Sequence, residues 1–289
     1  MSAAAHGTPL PDAARRAEVW GDPIDHSLSP RLHAAAYAEL ALPWAYGRRR
    51  VTAAGFADEL DAIGSDVRGL SLTYPLKTEA YRAATARDRF AELTGAVNTL
   101  LLVGANRRGF NTDVGGIVAD LRDLGIDGVD RARIIGAGAT ATSALVALAE
   151  LGAERVDVVA RRPEAAAPLV LLGERIGVAV QASPLDAVRA GERVPVSVST
   201  LPGGASLPPG AAAVLAADGG MLYDVVYGHW PTELATAWAD AGGVAYNGLG
   251  MLLRQAVGQV RIFTTGDPDA VLPGEGVVVD VMRRALMGD

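Results

Sequence analysis

Short apolar runs bounded by turn residues recur along this chain, and their arrangement changes character near Arg131. Before that point the pattern is mixed. Glu18–Ile24 ends in a Gly-x-Pro turn and predicts a short strand. Ser29-Pro30 opens a helix to about Leu40, with Ser29 as N-cap and Pro30 in the first helical position. Ala45–Val51 predicts a second strand and Phe56–Ile63 a helix. Val67–Leu72 is apolar and short, a buried strand that stops at Thr73-Tyr74-Pro75. Val97–Val103 and Arg108–Asn111, separated by Gly104-Ala105-Asn106-Arg107, predict a hairpin.

A helix from Val114 to about Leu124 leads into a regular alternation. Strands are predicted at Arg133–Ile135, Val156–Ala160, Val178–Val180, Val196–Thr200, Leu222–Val226 and Gly243–Tyr246, with helices or turns between them. Strand–helix alternation with short apolar strands implies a parallel sheet covered on both faces. Six such strands make a Rossmann-type, doubly wound unit. Tyr246–Val260 reads as a further helix and Val271–Met287 contains the last. The expected fold is therefore α/β in two domains, an N-terminal α/β domain with a mixed sheet and a Rossmann-type one. Residues 1–15 are read as a flexible tail, 16–113 plus 249–289 as the first domain, and 114–248 as the second. The final helices are assigned to the first domain because the six-stranded unit is already complete.

Composition narrows the function. With 289 residues and a net charge of −7, and no block of like charge, the chain lacks the electrostatic footprint of a nucleic-acid binder. No apolar run reaches the roughly 18 residues of a membrane span. Met1–Ala14 has no basic start followed by an apolar stretch, so no signal peptide is read there. The absence of cysteine excludes disulfides, thiolate catalysis and Cys-ligated zinc, and fits a cytoplasmic protein. No His-Glu-x-x-His pattern exists, so no metal is expected; His26 and His33 are read as structural. Of 26 basic residues a single one, Lys77, is lysine. Arginine is permanently charged, whereas lysine can give and take a proton near neutrality. Lys77 is thus either a remnant of composition bias or a residue with a job arginine cannot do.

Ile134-Ile135 is followed by Gly136-Ala137-Gly138-Ala139-Thr140-Ala141, a Gly-x-Gly-x-x-Ala loop between a strand and the Ala-rich helix Thr142–Leu151. The first glycine permits the tight turn and the second lets backbone N–H groups approach a pyrophosphate. The alanine allows close helix–strand packing. The next strand ends Val158-Val159-Ala160-Arg161-Arg162, where an NAD-binding protein would place an acid on the ribose hydroxyls. Two arginines there attract a 2′-phosphate instead, which predicts NADP. A plain solvated Arg pair is the alternative.

Gly21-Asp22-Pro23-Ile24-Asp25-His26-Ser27-Leu28-Ser29-Pro30-Arg31-Leu32-His33 resembles the opening motif of the shikimate dehydrogenases. So do Gly69-Leu70-Ser71-Leu72-Thr73-Tyr74-Pro75-Leu76-Lys77, Gly95-Ala96-Val97-Asn98-Thr99-Leu100 and Gly109-Phe110-Asn111-Thr112-Asp113-Val114-Gly115-Gly116. The match resumes at Tyr223-Asp224-Val225-Val226-Tyr227 and Gly248-Leu249-Gly250-Met251-Leu252-Leu253-Arg254-Gln255. Together, in this order, these motifs cover nearly the whole chain. The resemblance implies reversible reduction of 3-dehydroshikimate to shikimate with NADPH. Ser27 and Ser29 would hold the substrate carboxylate, and Thr73, Asn98, Tyr227 and Gln255 would contact its carboxylate or ring hydroxyls. Lys77 and Asp113 would be the catalytic pair. Gly136, Ala137, Gly138, Ala139, Thr140, Arg161, Arg162 and Thr200 would bind the cofactor, with Gly248 and Met251 near the nicotinamide. The first domain would then bind substrate and the second NADP, in a monomer or homodimer. Three departures stand out: Ser71 where many relatives carry Asn, Ala160-Arg161-Arg162 where the family has Asn-Arg-Thr, and His229 in place of a common proline.

The chemistry of the residues agrees. A hydroxylated ring acid needs many convergent hydrogen bonds, and the matching positions are Ser, Thr, Asn, Tyr and Gln. Hydride transfer to a ketone builds negative charge on oxygen, which an ammonium can stabilise and protonate. Asp113 beside Lys77 would hold it in place; which of the two is the formal donor stays open. Read singly, Ser27 and Ser29 are turn or cap residues, Thr73 shapes a turn, Asn98 bonds local backbone, and Asp113 caps the next helix. Tyr227, Gln255 and Met251 alone are ordinary interior residues. Alternatives are a broader quinate/shikimate dehydrogenase, against whose use of NAD Arg161 and Arg162 speak, and a catalytically silent NADP-binding regulator, against which the retained Lys77–Asp113 pair speaks; an amino-shikimate enzyme shares every motif.

Overall fold

In this computed structural model residues 14–189 and 191–288 are described. The expected tail therefore lies outside the described residues except at positions 14 and 15. The chain divides into two compact units, one taking the described residues up to Gly116 and those from Leu252 onward, the other Ile117–Met251.

The first unit is a six-stranded mixed sheet between two helical layers. Its strands are β1 (Arg16–Gly21), β2 (Ala45–Arg50), β3 (Val67–Leu72), β4 (Ala86–Arg87), β5 (Thr99–Val103) and β6 (Asn106–Phe110), in the order β2-β1-β3-β5-β6-β4. β1 runs parallel to β2 and β3, whereas β5 is antiparallel to both β3 and β6. Its helices are α1 (Ser29–Glu39), α2 (Phe56–Asp61), α3 (Lys77–Ala83), α4 (Arg89–Thr94), the start of α5 (Thr112–Asp123), most of α10 (Leu249–Thr265) and α11 (Glu275–Met287). Alternation along the strands divides the core. Ala17 and Leu101 face a cluster with Leu32, Tyr37, Val257, Val260 and Phe263 of α1 and α10. Trp20 and Leu100 face the other, with Phe56, Leu60, Leu76 and Ala80 from α2, α3 and the turn before it.

The second unit is a fully parallel six-stranded sheet. Its strands are β7 (Arg131–Ile135), β8 (Arg155–Ala160), β9 (Ala179–Pro184), β10 (Val196–Ser199), β11 (Met221–Asp224) and β12 (Ala245–Tyr246), in the order β12-β11-β10-β7-β8-β9. This is the doubly wound order, reversing between β7 and β10. α6 (Ala139–Glu150), α7 (Ala167–Ile176), α8 (Ala211–Asp218) and α9 (Glu233–Asp240) intervene. Leu215, Leu234 and Trp238 close the α8–α9 face over Ile135 and Leu222. Arg133 is buried in the strand that opens this sheet and is neutralised by Asp218 at 2.7 Å.

Several boundaries differ from the sequence reading. Ser29 is the first helical residue of α1 rather than its cap; the cap position falls on Leu28, which has helical angles. β1 stops at Gly21, before Pro23, which has no backbone donor for a ladder. The hairpin closes more tightly than expected, because Val103 pairs directly with Asn106 across Gly104 (φ 58) and Ala105. α10 starts at Leu249 rather than Tyr246, since Tyr246 belongs to β12.

Candidate active site

The parallel strands of the first unit send their following loops out of one edge, where ligands of open α/β sheets bind. The loops after β1 and β3 are pinned together there. The Asp22 N–H donates to the Tyr74 carbonyl at 3.0 Å. A Cβ at Gly21 would lie 2.4 Å from Thr73 Cγ2, so only glycine lets Thr73 seat against the strand end. Ser27 supplies the hydroxyl at the start of α1, accepting from the Ser29 N–H at 3.3 Å. Ser27 and Tyr46 line a depression of about 520 Å³ with His26, Arg31 and Arg48.

Reversed strands bring the remaining residues back to this edge. The Leu72 N–H donates to the Asn98 carbonyl at 2.7 Å, and the Asn98 N–H to the Phe110 carbonyl at 3.0 Å. Asn98 thus sits at the end of β3 and beside the turn into α5. The Val97 N–H donates to the Lys77 carbonyl at 3.0 Å, which fixes the first residue of α3 against the same segment.

Three side chains converge there. Lys77 Nζ donates to Asp113 Oδ2 at 2.6 Å, and Asn98 Nδ2 donates to Asp113 Oδ1 at 2.8 Å. The Asp113 side chain is 7% exposed and that of Lys77 19%. Asp113 lies inside the first turn of α5, not at its cap, so the helix N-terminus also favours its negative charge. Its own N–H donates to Asn111 Oδ1 at 3.0 Å. A carboxylate with both oxygens engaged is an acceptor only, while the ammonium retains donors for a further ligand. Asn111, Thr112 and Thr99 complete the shell; they lie in the quoted motifs but carried no role in the sequence reading.

Gln255 stands on α10, and Gly116 makes room for it: a Cβ at Gly116 would lie 2.8 Å from Gln255 Cβ and 3.0 Å from its backbone nitrogen. The Gln255 amide donates to the Leu252 carbonyl at 2.8 Å, within its own helix. One turn later Gln259 reaches the Asn98 carbonyl at 3.3 Å. The same-face spacing of Gln255 and Gln259 was the available signal for Gln259.

In the second unit β7 delivers the glycine loop as expected. Gly136 has φ 116, and a Cβ there would lie 2.5 Å from Thr200 Oγ1. Thr200 braces the turn, its N–H donating to the Ile135 carbonyl at 2.8 Å. Gly138 is exposed and caps α6, with nothing within 4 Å of where its Cβ would be. α6 begins at Ala139, three residues earlier than the sequence pattern predicts, so the loop N–H groups of Ala139 and Thr140 belong to its first turn. Arg161 and Arg162 are exposed where β8 ends, next to β7, and make no ion pair among the described residues. Open space over Gly138, a helix N-terminus and two uncommitted guanidinium groups fit the pyrophosphate and 2′-phosphate of NADP.

Tyr227, Gly248 and Met251 also belong to the second unit. Burial raises the Tyr227 hydroxyl above its usual range. A Cβ at Gly248 would lie 2.1 Å from the Val225 carbonyl oxygen, which gives this glycine a packing reason. Met251 is buried. His229 lines a depression of about 280 Å³ with Ser199, Asp224, Thr232 and Glu233. Burial raises the Asp224 carboxyl, offset by donation from the Thr232 hydroxyl at 2.8 Å and the Val226 N–H at 3.2 Å. Among the described residues no cluster of His, Cys, Asp or Glu is arranged to hold a metal, and no helix is long and apolar enough to cross a membrane.

Known proteins share both sequence and architecture with this chain. Residues 19–100 match the family model of the shikimate dehydrogenase substrate binding domain. The shikimate dehydrogenase (NADP(+)) of Bordetella avium (strain 197N) is 36% identical over 274 residues, spanning 90% of this chain and 94% of that protein. The crystal structure of Mycobacterium tuberculosis shikimate dehydrogenase is similar with a TM-score of 0.79 at 40% identity, covering 95% of this chain and 100% of that one. Shikimate 5-dehydrogenase from Thermus thermophilus, solved in complex with NADP(H) and shikimate, gives a TM-score of 0.78 at 30% identity over 94% of this chain and 99% of that one. With a lysine–aspartate pair at the edge of one sheet and a glycine loop and arginine pair at the edge of the other, this chain belongs to the shikimate dehydrogenase family.

Proposed function

We propose that this chain catalyses the reversible, NADPH-dependent reduction of 3-dehydroshikimate to shikimate, a step toward chorismate and the aromatic amino acids. The observation that carries the reading is the Lys77–Asp113 contact at 2.6 Å, with Asn98 on the other carboxylate oxygen.

NADPH, when bound, supplies the hydride. Ala139 and Thr140 at the start of α6, with Gly136, Ala137 and Gly138 before them, would hold its pyrophosphate, and Arg161 and Arg162 its 2′-phosphate, with Gly248 and Met251 assigned to the nicotinamide end. Ser27 and Ser29 orient the substrate carboxylate, and Thr73, Asn98 and Gln255 of the same unit bond its polar groups. Lys77 presents its ammonium to the carbonyl oxygen, stabilises the growing negative charge and delivers the proton. Asp113 keeps that ammonium in position and, with both oxygens already accepting, serves as its counter-charge. In the oxidative direction the Lys77 amine takes the proton back. We further propose a cytoplasmic monomer or homodimer.

Absorbance at the reduced-nicotinamide band, with shikimate or quinate each against NADP or NAD, tests the reading. Fast turnover with shikimate and NADP is expected. Preference for quinate or NAD would move the assignment to the broader dehydrogenase. NADP binding with no turnover of either acid would make the chain a regulator.

A further inference from the structure

Behind the Lys77–Asp113 pair runs a line of side-chain hydrogen bonds whose members outside Asn98 and Asp113 have no role in the proposed reaction. The Tyr46 hydroxyl donates to Ser71 Oγ at 2.6 Å, and the Ser71 hydroxyl to Gln259 Oε1 at 2.8 Å. Gln259 Nε2 donates to Thr99 Oγ1 at 3.2 Å, and the Thr99 hydroxyl to Asn98 Oδ1 at 2.8 Å. Asn98 Nδ2 then donates to Asp113 Oδ1 at 2.8 Å. Ser71, Gln259, Thr99, Asn98 and Asp113 are all buried.

The direction of every bond in this line is fixed by backbone. The Thr112 N–H donates to Asn98 Oδ1 at 2.9 Å, so the Asn98 amide nitrogen must face Asp113. The Asn98 carbonyl accepts from Gln259 Nε2 at 3.3 Å, so Gln259 must present its oxygen to Ser71. Ser71 is thereby forced to donate to Gln259 and to accept from Tyr46. All donors point toward the Asp113 carboxylate, and hydrogen bonds aligned in one direction polarise and strengthen one another.

The geometry points to Gln259, relayed through Thr99 and backed by Ser71 and Tyr46, as a positioning residue that sets the Asn98 amide and so the placement of Asp113 against Lys77. This inference rests on the reading of Lys77 and Asp113 as the catalytic pair. Gln259 acts by tightening the seat of that amide; without it, the Thr99 hydroxyl and the Asn98 backbone carbonyl lose their shared partner, and Thr112 alone is left to hold Asn98 against the carboxylate.

The test measures kcat, KM for shikimate, NADPH binding by fluorescence, and thermal midpoint for Gln259→Leu, Thr99→Val, the double variant and Thr99→Ser. Lys77→Ala is assayed alongside. Gln259→Leu and Thr99→Val are each expected to lower kcat about tenfold, with NADPH binding within about twofold of the parent. The double variant should lose no more than about the worse single one, because both cut the same line. Thr99→Ser, which keeps the hydroxyl, should restore kcat. Unchanged kcat in both single variants, losses that multiply in the double, or a Thr99→Ser as impaired as Thr99→Val would overturn the proposal while leaving the catalytic pair intact. An active Lys77→Ala would instead remove the catalytic pair itself, whatever Gln259 does.

Discussion

Asn98 Nδ2 stands 2.8 Å from Asp113 Oδ1, taking the one carboxylate oxygen that Lys77 leaves, so the aspartate is gripped by an amide and an ammonium at once. Neither grip is local in sequence: the segment entering β5 and the start of α3 each bring one partner to the first turn of α5. The chemistry of the pair is therefore a property of the first unit's fold.

Replacing Lys77 by Ala removes the proposed proton donor without touching the groups assigned to the substrate carboxylate. kcat should fall about a hundred- to ten-thousandfold, the usual worth of a positioned acid–base group. Shikimate should still bind, measured by calorimetry. Lys77→Arg should not rescue, because a guanidinium cannot give up its proton.

Arg161→Ala with Arg162→Ala should weaken NADP by about 2–3 kcal/mol and NAD by much less, since only the former carries the phosphate these groups are proposed to hold. Titration of the double variant with both cofactors checks this; equal losses for the two would end the phosphate assignment.

Gly136→Ala places a side chain at φ 116 and 2.5 Å from Thr200 Oγ1. The cost should be about 2–4 kcal/mol of stability. Thermal denaturation would show it, and NADPH fluorescence would report loss of the loop geometry.

Gly116→Ala makes a contrasting case. Helix propensity alone favours alanine by about 1 kcal/mol. The new Cβ would meet the Gln255 backbone nitrogen at 3.0 Å, so Gln255 must shift. KM for shikimate should rise about tenfold with little change in NADP binding. Steady-state kinetics in both substrates would show whether it does.

His33 sets a pH dependence. Burial, partly offset by the bond from its Nδ1–H to the Ser29 carbonyl at 2.9 Å, holds its pKa down at about 4 from 6.5. The unfolded chain takes up this proton first, so stability falls as pH drops below 6.5 and levels off near 4. The loss is about 3 kcal/mol. His33→Phe keeps an aromatic ring against Tyr46, on which His33 stacks at 3.9 Å, and removes the titration. Urea unfolding at pH 7 and pH 4 should show a correspondingly smaller drop in this variant than in the parent.

Much of this architecture is legible in residue order. β7, β8 and β10 are short runs rich in Val or Ile, followed by Gly136, Arg161 and Thr200, and buried parallel strands leave that trace. α3 and α4 escape the pattern because their buried positions are alanine, Ala80 and Ala91, which mark a helical face weakly. Ser-Pro is a common helix start and suggests Ser29 as a cap; the turn at Ser27 moves the first helical residue onto Ser29 itself. Identities around the pair are legible from the motifs. The line behind it is not, since the Ser71–Gln259 bond joins positions 188 apart. Only folded β3 and α10 reveal it.

That a single lysine occurs in the chain, with its side chain 19% exposed, turns the proposed proton donor into its own reporter. Among the side chains of this sequence an amine-selective acylating reagent has one target, Lys77, so intact mass would report its modification directly. Enrichment of lysine with nitrogen-15 at Nζ would give one side-chain resonance from this sequence. Its chemical shift would track ligand occupancy and protonation without assignment.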